Sequence, residues 1–186
     1  MLYVIIVAVF LIPGCSKSSN RKKSNPQLEK KAEFYLTLIE NVPDSRKDDY
    51  RDKLATVYEE MGKMKKAQEY KTKPYEVSQK NYTIDEMAMG YSPDYYKNII
   101  QYCDSFIANN PKAAYAYLEE AFSHMALHNT DKAFKIINEA IDIDSLNVDA
   151  YILRSSMYRR IDQNEKARID EQRAVKLAIE KAEKGN

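Results

Sequence analysis

After residue 27, apolar residues recur every three or four positions along most of the chain, which is the spacing of one face of an α-helix. The first of these stripes ends before Pro43, and a second ends at Gly62. Ser92 and Pro93 form a start signal for a later helix, because a hydroxyl cap followed by proline suits a first turn. No segment alternates apolar and polar residues for long enough to predict a strand. We therefore predict an all-α protein.

The helical pattern repeats itself every 34 residues. A period of this length with two helices per unit is typical of repeats that bury their apolar faces by stacking on their neighbours. We predict repeats at approximately 46–74, 75–111, 114–147 and 148–181. The matching positions are Ala116/Ala150, Tyr117/Tyr151, Leu118/Ile152, Ala121/Ser155, Leu127/Ile161, Lys132/Lys166, Ala133/Ala167 and Ala140/Ala174.

These residues resemble the tetratricopeptide-repeat family. The small residues that family places where its two helices cross are matched in two successive units, by Ala121, Ala133 and Ala140 and then by Ser155, Ala167 and Ala174. The resemblance implies an α-solenoid of stacked antiparallel helix pairs over residues 27–186. It also implies a concave surface, lined by the first helix of each pair, that binds peptides or partner helices.

The resemblance assigns specific side chains to that groove. An alternative is that Leu118 and Phe122 pack against the neighbouring unit, since aromatic stripes at helical spacing often belong to a core. The partner-binding positions that the resemblance implies are Tyr115, Leu118, Phe122, Met125, Asp149, Ile152, Ser156 and Arg159.

The N-terminus carries an export signal. Residues Leu2 to Ile12 are all apolar, a run that is too short to span a membrane and has the length of a signal-peptide core. The following Leu11-Ile12-Pro13-Gly14-Cys15 resembles a bacterial lipobox. This implies that residues 1–14 are a cleaved signal peptide and that Cys15 carries lipid; an uncleaved N-terminal anchor is the alternative.

Residues 15–26 (CSKSSNRKKSNP) contain four basic residues and no acidic one, and they are rich in Ser and Asn. We predict a flexible, lipidated tether, since such a composition supports no packed core. Ser16 follows the cysteine, and by resemblance to lipoprotein sorting this implies the outer membrane, with the domain facing the periplasm. The expected location is thus the bacterial cell envelope.

Composition argues against several classes of function. With 29 basic and 28 acidic residues the chain lacks the basic excess of a nucleic-acid-binding protein, so we expect no nucleic-acid partner. Its four glycines are too far apart for a phosphate-binding loop, and no nucleophile motif is present. We expect no cofactor and no catalytic activity.

Three local features suggest further chemistry. Glu120, His124 and His128 are spaced four residues apart on one helix face, a weak candidate for a metal site. Cys103 lies in the apolar stripe of its helix, which predicts a buried free thiol. Glu120 and Arg154 occupy equivalent positions of adjacent units, so we hypothesise an ion pair between repeats.

The sequence therefore predicts a membrane-anchored, non-catalytic adaptor or assembly factor that binds a protein or peptide in the cell envelope. An alternative is a regulatory or inhibitor protein that binds one specific partner. A metal-binding or hydrolytic enzyme is a third and weaker interpretation.

Overall fold

The computed structural model describes residues 25–71 and 91–184. Within these ranges the chain forms helices and no strand, which confirms the all-α prediction. The predicted signal peptide, nearly all of the tether and the part of the 75–111 unit before residue 91 lie outside the described residues. The helices are α1 (Pro26–Asn41), α2 (Asp44–Glu60), α3 (Met64–Tyr70), α4 (Pro93–Asn109), α5 (Ala114–Ala126), α6 (Thr130–Ile143), α7 (Val148–Arg160) and α8 (Asn164–Lys184).

Two helices begin with the capping chemistry that their sequences encode. The side chain of Ser92 accepts a hydrogen bond from the backbone N–H of Tyr95 at 3.3 Å, directly before Pro93, as predicted. The side chain of Asn25 accepts from the N–H of Gln27 at 3.0 Å, and Pro26 opens α1. The last two residues assigned to the tether therefore belong to the start of the helical domain.

The 34-residue period is visible in the helix boundaries. Helices α5 and α7 begin at residues 114 and 148 and are each 13 residues long, while α6 and α8 begin at residues 130 and 164. The tyrosine near the start of each first helix makes the same contact. Tyr117 donates its hydroxyl hydrogen to the carbonyl of Pro111 at 3.1 Å, and Tyr151 donates to the carbonyl of Ser145 at 3.3 Å. Residues 114–184 are therefore two copies of one structural unit.

The turn inside each helix pair is built in the same way three times. Its central residue has a left-handed backbone, with φ of 71° at Gly62, 61° at His128 and 59° at Asp162. At the first turn the N–H of Gly62 bonds the carbonyl of Glu59 at 2.8 Å, and the next N–H reaches back to Tyr58 at 2.8 Å. This is the Schellman pattern, and both bonds recur at the other two turns. The α2–α3 pair therefore shares the hairpin geometry of the two later units.

Successive pairs stack to form an α-solenoid. Helix α5 contacts α6, α6 contacts α7, α7 contacts α8, and α5 also contacts α7. The small residues predicted at the helix crossings are buried, with Ala121, Ala133, Ala140 and Ala167 at 0% exposure and Ser155 and Ala174 at 4%. Small side chains there let the helices approach closely. Neighbouring units therefore cover each other's apolar faces, which neither unit could bury alone.

Helices α1 and α2 close the other end of the stack with an aromatic core. The fully buried Phe34 of α1 lies 5.3 Å from the ring of Tyr102 and 4.9 Å from Phe106, both on α4. Its ring is also 5.2 Å from that of Tyr115 on α5. Aromatic pairs at such distances stabilise beyond the area that they bury. Helix α1 is thus fixed against both α4 and α5.

The left-handed turns yield a prediction about stability. Changing Gly62 to Ala is expected to lower the free energy of unfolding by about 1–2 kcal/mol, the steric cost of a Cβ in this conformation. The added Cβ would meet no atom within 4 Å, so the loss would come from the backbone alone. Conversely, Asp162→Gly is expected to stabilise the protein. Chemical denaturation of the two variants measures both effects, and a Gly62→Ala variant as stable as the unaltered protein would contradict the argument.

Candidate protein-interaction surface

The first half of the predicted groove lies in the core. The ring of Phe122 is 9% exposed and is held between the guanidinium of Arg46, 5.6 Å from its centroid, and the ring of Tyr96 at 6.2 Å. Tyr115 belongs to the aromatic cluster around Phe34, and Met125 is only 1% exposed. The assignment of Phe122 and Met125 to an accessible groove is wrong, because α2, α4 and the adjoining units cover them; Tyr115 is half-buried, and its role in the groove stays a prediction.

The second half of the predicted groove is accessible. On α7, Asp149 and Arg159 are exposed, Ile152 is 50% exposed, and Ser156 is half-buried. Leu118 of α5 is also half-buried, and it packs against the core of the α5–α8 units. We call these five residues the open face. Their role in binding a partner stays a prediction.

The residues of the open face are held in place by a partly buried ion pair behind them. Arg154 on α7 donates two hydrogen bonds of 2.8 Å to the carboxylate of Asp170 on α8, whose side chain is 5% exposed. It donates a third, of 2.7 Å, to the side chain of Asn138 on α6. A bidentate arginine–carboxylate pair fixes the angle between two elements as well as their distance. Arg154 therefore ties α7 to the second helices of two successive units.

This arrangement contradicts the hypothesis that Arg154 pairs with Glu120. Both partners of Arg154 lie 16 residues away along the chain, on second helices, rather than at the equivalent position of the preceding first helix. The equivalent of Asp170 in the preceding unit is Ile136, so the carboxylate that Arg154 binds has no counterpart on α6. The 34-residue comparison aligned the two positions correctly but could not show which neighbouring helix each side chain reaches.

Glu120 instead lies in a buried cluster of titratable side chains. It is 5% exposed, and its Oε1 is 3.6 Å from Nε2 of His124 and 3.9 Å from Nζ of Lys132. Burial, followed by the repulsion of Asp104 on α4, raises the pKa of Glu120 to about 7. Burial, followed by the charge of Lys132, lowers the pKa of His124. Glu120 is therefore a carboxyl group that titrates near neutral pH.

The three proposed metal ligands do not converge on one point. His128 sits at the left-handed residue of the α5–α6 turn, and its Nδ1 lies 3.2 Å from the guanidinium of Arg160 on α7. Glu120 and His124 remain together, but among the residues that the structure describes no group of three His, Cys, Asp or Glu side chains could hold a metal ion. Cys103 is a fully buried free thiol, as predicted, and burial raises its pKa well above the usual range.

Glu119, which the sequence pattern did not single out, links α2 to α5. It is 4% exposed, and its carboxylate accepts a hydrogen bond of 3.2 Å from the hydroxyl of Tyr50 on α2. It also accepts one from the ammonium group of Lys53, one helical turn further along α2. A charge at a helical crossing carries no signal in an apolar pattern, since the pattern records only which positions are apolar.

The fold and the open face together define a class: an all-α, tetratricopeptide-like helical-repeat domain with an exposed face on its last described pair. No protein-family model matches the sequence, and no curated protein matches it. Among the solved structures similar to the chain is one titled as the crystal structure of MamA. It is 17% identical, with 84% of this chain and 91% of that chain covered and a TM-score of 0.44. Across the described residues, no helix is both long and apolar enough to span a bilayer.

The Glu120 cluster predicts a dependence of stability on pH. A carboxyl with a raised pKa stabilises the fold fully below its unfolded value of about 4.5, and this contribution is lost as the pH rises through about 7. Glu120→Gln removes the ionisation. Relative to the unaltered protein, the variant is expected to gain on the order of 1–3 kcal/mol between pH 5 and pH 8.

Chemical denaturation at the two pH values measures this difference. The matched control is Glu29→Gln, which changes an exposed glutamate on α1 and is expected to show no such gain. Equal gains in the two variants, or none in either, would contradict the assigned titration of Glu120.

Proposed function

We propose that the protein is a non-catalytic, membrane-anchored adaptor or assembly factor of the bacterial cell envelope that binds a protein partner through the open face. The observation that carries this proposal is the contrast between equivalent positions of α5 and α7. Phe122 and Met125 are buried, whereas their equivalents on α7, Ser156 and Arg159, are half-buried and exposed. Binding would therefore rest mainly on the last described unit, which supplies four of the five residues of the open face.

The chemistry of the open face suits a peptide or helix with a few apolar anchors. Ile152 lies at the centre of the open face and is half exposed. It offers an apolar contact of the kind that contributes most of the energy of small interfaces. Asp149 lies one turn away and Arg159, which also pairs with Glu171 of α8 at 2.5 Å, lies two turns away on the other side; these two side chains would orient the partner. Because Arg154 and Asp170 fix α7 from behind, the face would bind with little loss of conformational freedom.

The proposed anchor rests on the sequence of the N-terminus. The apolar run from Leu2 to Ile12 leads into the lipobox-like residues that end at Cys15. Multiple acyl chains at that cysteine would hold the protein at a membrane, since one chain alone binds only reversibly. The basic tether would lie near anionic headgroups at ~1 kcal/mol per basic residue. Confinement at the surface raises the effective concentration of the open face toward membrane-bound partners.

One observation favours a second candidate, a regulatory or inhibitor protein dedicated to one partner. The groove positions of α5 are filled by the protein's own α1, α2 and α4. The accessible face is then about one repeat long, which suits a single short recognition element better than a set of extended peptides. The crosslinking experiment below separates the two, because an adaptor would yield several crosslinked species and an inhibitor one.

The lipid anchor is tested by metabolic labelling. Cells that express the full chain are grown with a labelled fatty acid, and we expect label on the protein that disappears in Cys15→Ala. Cys103→Ala is the matched control, since its thiol is fully buried and should leave labelling unchanged. Label that persists in Cys15→Ala would contradict lipidation at this residue.

The open face is tested by site-specific photocrosslinking in cells. A photoreactive residue at Ile152 is expected to capture partner protein, whereas one at Lys135, exposed on α6, should not. Arg159→Glu should reduce the yield from position 152 by at least threefold, because it reverses a flanking charge. Equal capture from positions 135 and 152 would show that the open face is not the binding surface.

A further inference from the structure

The outward side of α8 carries an uncovered stripe, formed by Gln172, Val175, Ile179 and Ala182. Val175 is 60% exposed and Ile179 is 54% exposed, and both line a shallow groove along the helix with Gln172. Large apolar side chains with this degree of exposure are few among the described residues. Two of them lie within four residues of each other on one helix face, and such a patch calls for an explanation.

The repeat shows what kind of surface this stripe is. Subtracting 34 maps Gln172 and Val175 onto Asn138 and Ile141 of α6, the side that receives α7. There Ile141 is 8% exposed, and Asn138 accepts a hydrogen bond from Arg154 of α7 at 2.7 Å. The stripe on α8 is therefore the continuation of an interface that the chain itself uses between its units.

Compared with the matching surface of α6, the α8 surface has polar residues at its edge, but its centre is still apolar. The fully buried Ile137 of α6 corresponds to Glu171, which accepts a 2.8 Å hydrogen bond from Arg159. The half-buried Phe134 corresponds to Arg168, whose guanidinium is paired with Glu165 at 2.6 Å. A cap that only kept the end of the stack soluble would be polar throughout. Val175 and Ile179 do not serve that purpose.

The charges beside the stripe identify a partner. The stripe positions 172, 175, 179 and 182 follow the spacing of the a and d positions of a heptad. In that register Glu171 is a g position and Lys176 is the e position five residues later. When two such helices run parallel, g and e′ residues meet across the interface. Glu171 and Lys176, which within one chain pair with Arg159 at 2.5 Å and with Glu180 at 4.0 Å, would then also lie opposite each other across the interface, twice.

From this geometry we propose that two copies of the protein associate through α8, packed in parallel along the Gln172–Ala182 stripe. The contact is about 16 Å long at the rise of an α-helix, so it falls below the ~1,200 Å² of a standard interface. Association is accordingly weak and reversible, with a dissociation constant in the high micromolar range. The proposal does not rest on lipidation, and it shares with the open face only the ion pair between Arg159 and Glu171.

Sedimentation equilibrium of the full chain in detergent tests the association. Val175→Glu with Ile179→Glu is expected to weaken it at least tenfold, and Lys176→Glu about threefold through repulsion from Glu171 of the other copy. Met64→Glu, which changes an equally exposed apolar residue on α3, is the matched control and should have no effect. This control variant keeps residues 2–12 unchanged, so any association through that segment would be the same in the control and in the α8 variants. If the α8 variants and the control associate equally, the proposal is wrong.

Disulfide crosslinking tests the parallel register. With Cys15 changed to Ser, Val175→Cys and Ile179→Cys variants should each form a disulfide-linked dimer, because an antiparallel pair can place at most one of these two positions opposite itself. Met64→Cys should crosslink at least tenfold more slowly. The remaining Cys103 is fully buried and does not interfere. Crosslinking at position 64 as fast as at position 175, or none at 175, would overturn the proposal.

Discussion

An α-helical pair has two faces, and a pair of this size can bury only one of them against itself. The other must be covered by a neighbouring pair, and this requirement organises the structure from α4 to α8. Close approach needs small side chains at the crossings, which is why Ala121, Ala133 and Ala140 are fully buried. The same Schellman turn closes each of the three described hairpins, so one local geometry serves the whole stack.

A stack of pairs always has two ends, and this protein treats them differently. At one end α1 and α2 cover α5 with aromatic rings and the guanidinium of Arg46, and Tyr50 of α2 donates a hydrogen bond to the buried Glu119 of α5. At the other end the apolar positions of the preceding unit are replaced at the margin by the Arg159–Glu171 ion pair. The α8 stripe and four of the five open-face residues lie at this end, on α7 and α8.

Equivalent positions of the repeat carry different electrostatic roles. Arg154 is neutralised by Asp170 and bonded to Asn138, which makes it a fixed structural tie. Glu120, one unit earlier, is buried near His124, Lys132 and Asp104, and burial followed by the repulsion of Asp104 raises its pKa to about 7. The backbone repeats, while the charge at a given position depends on what its neighbours on the second helices supply.

The sequence by itself determined the all-α class, the 34-residue period, and the burial of Cys103 and the small residues, because each follows from the spacing of apolar side chains. It also determined the helix start at Ser92 and Pro93, because that start depends on local capping chemistry. Only the tertiary structure decided which predicted groove residues are accessible and which partner Arg154 reaches. Tyr115 and Phe122 have the same periodic signature whether solvent or another helix faces them, and the helices that cover them come from distant parts of the chain. Exposure and charge pairing are properties of neighbours in space, which a one-dimensional pattern does not record.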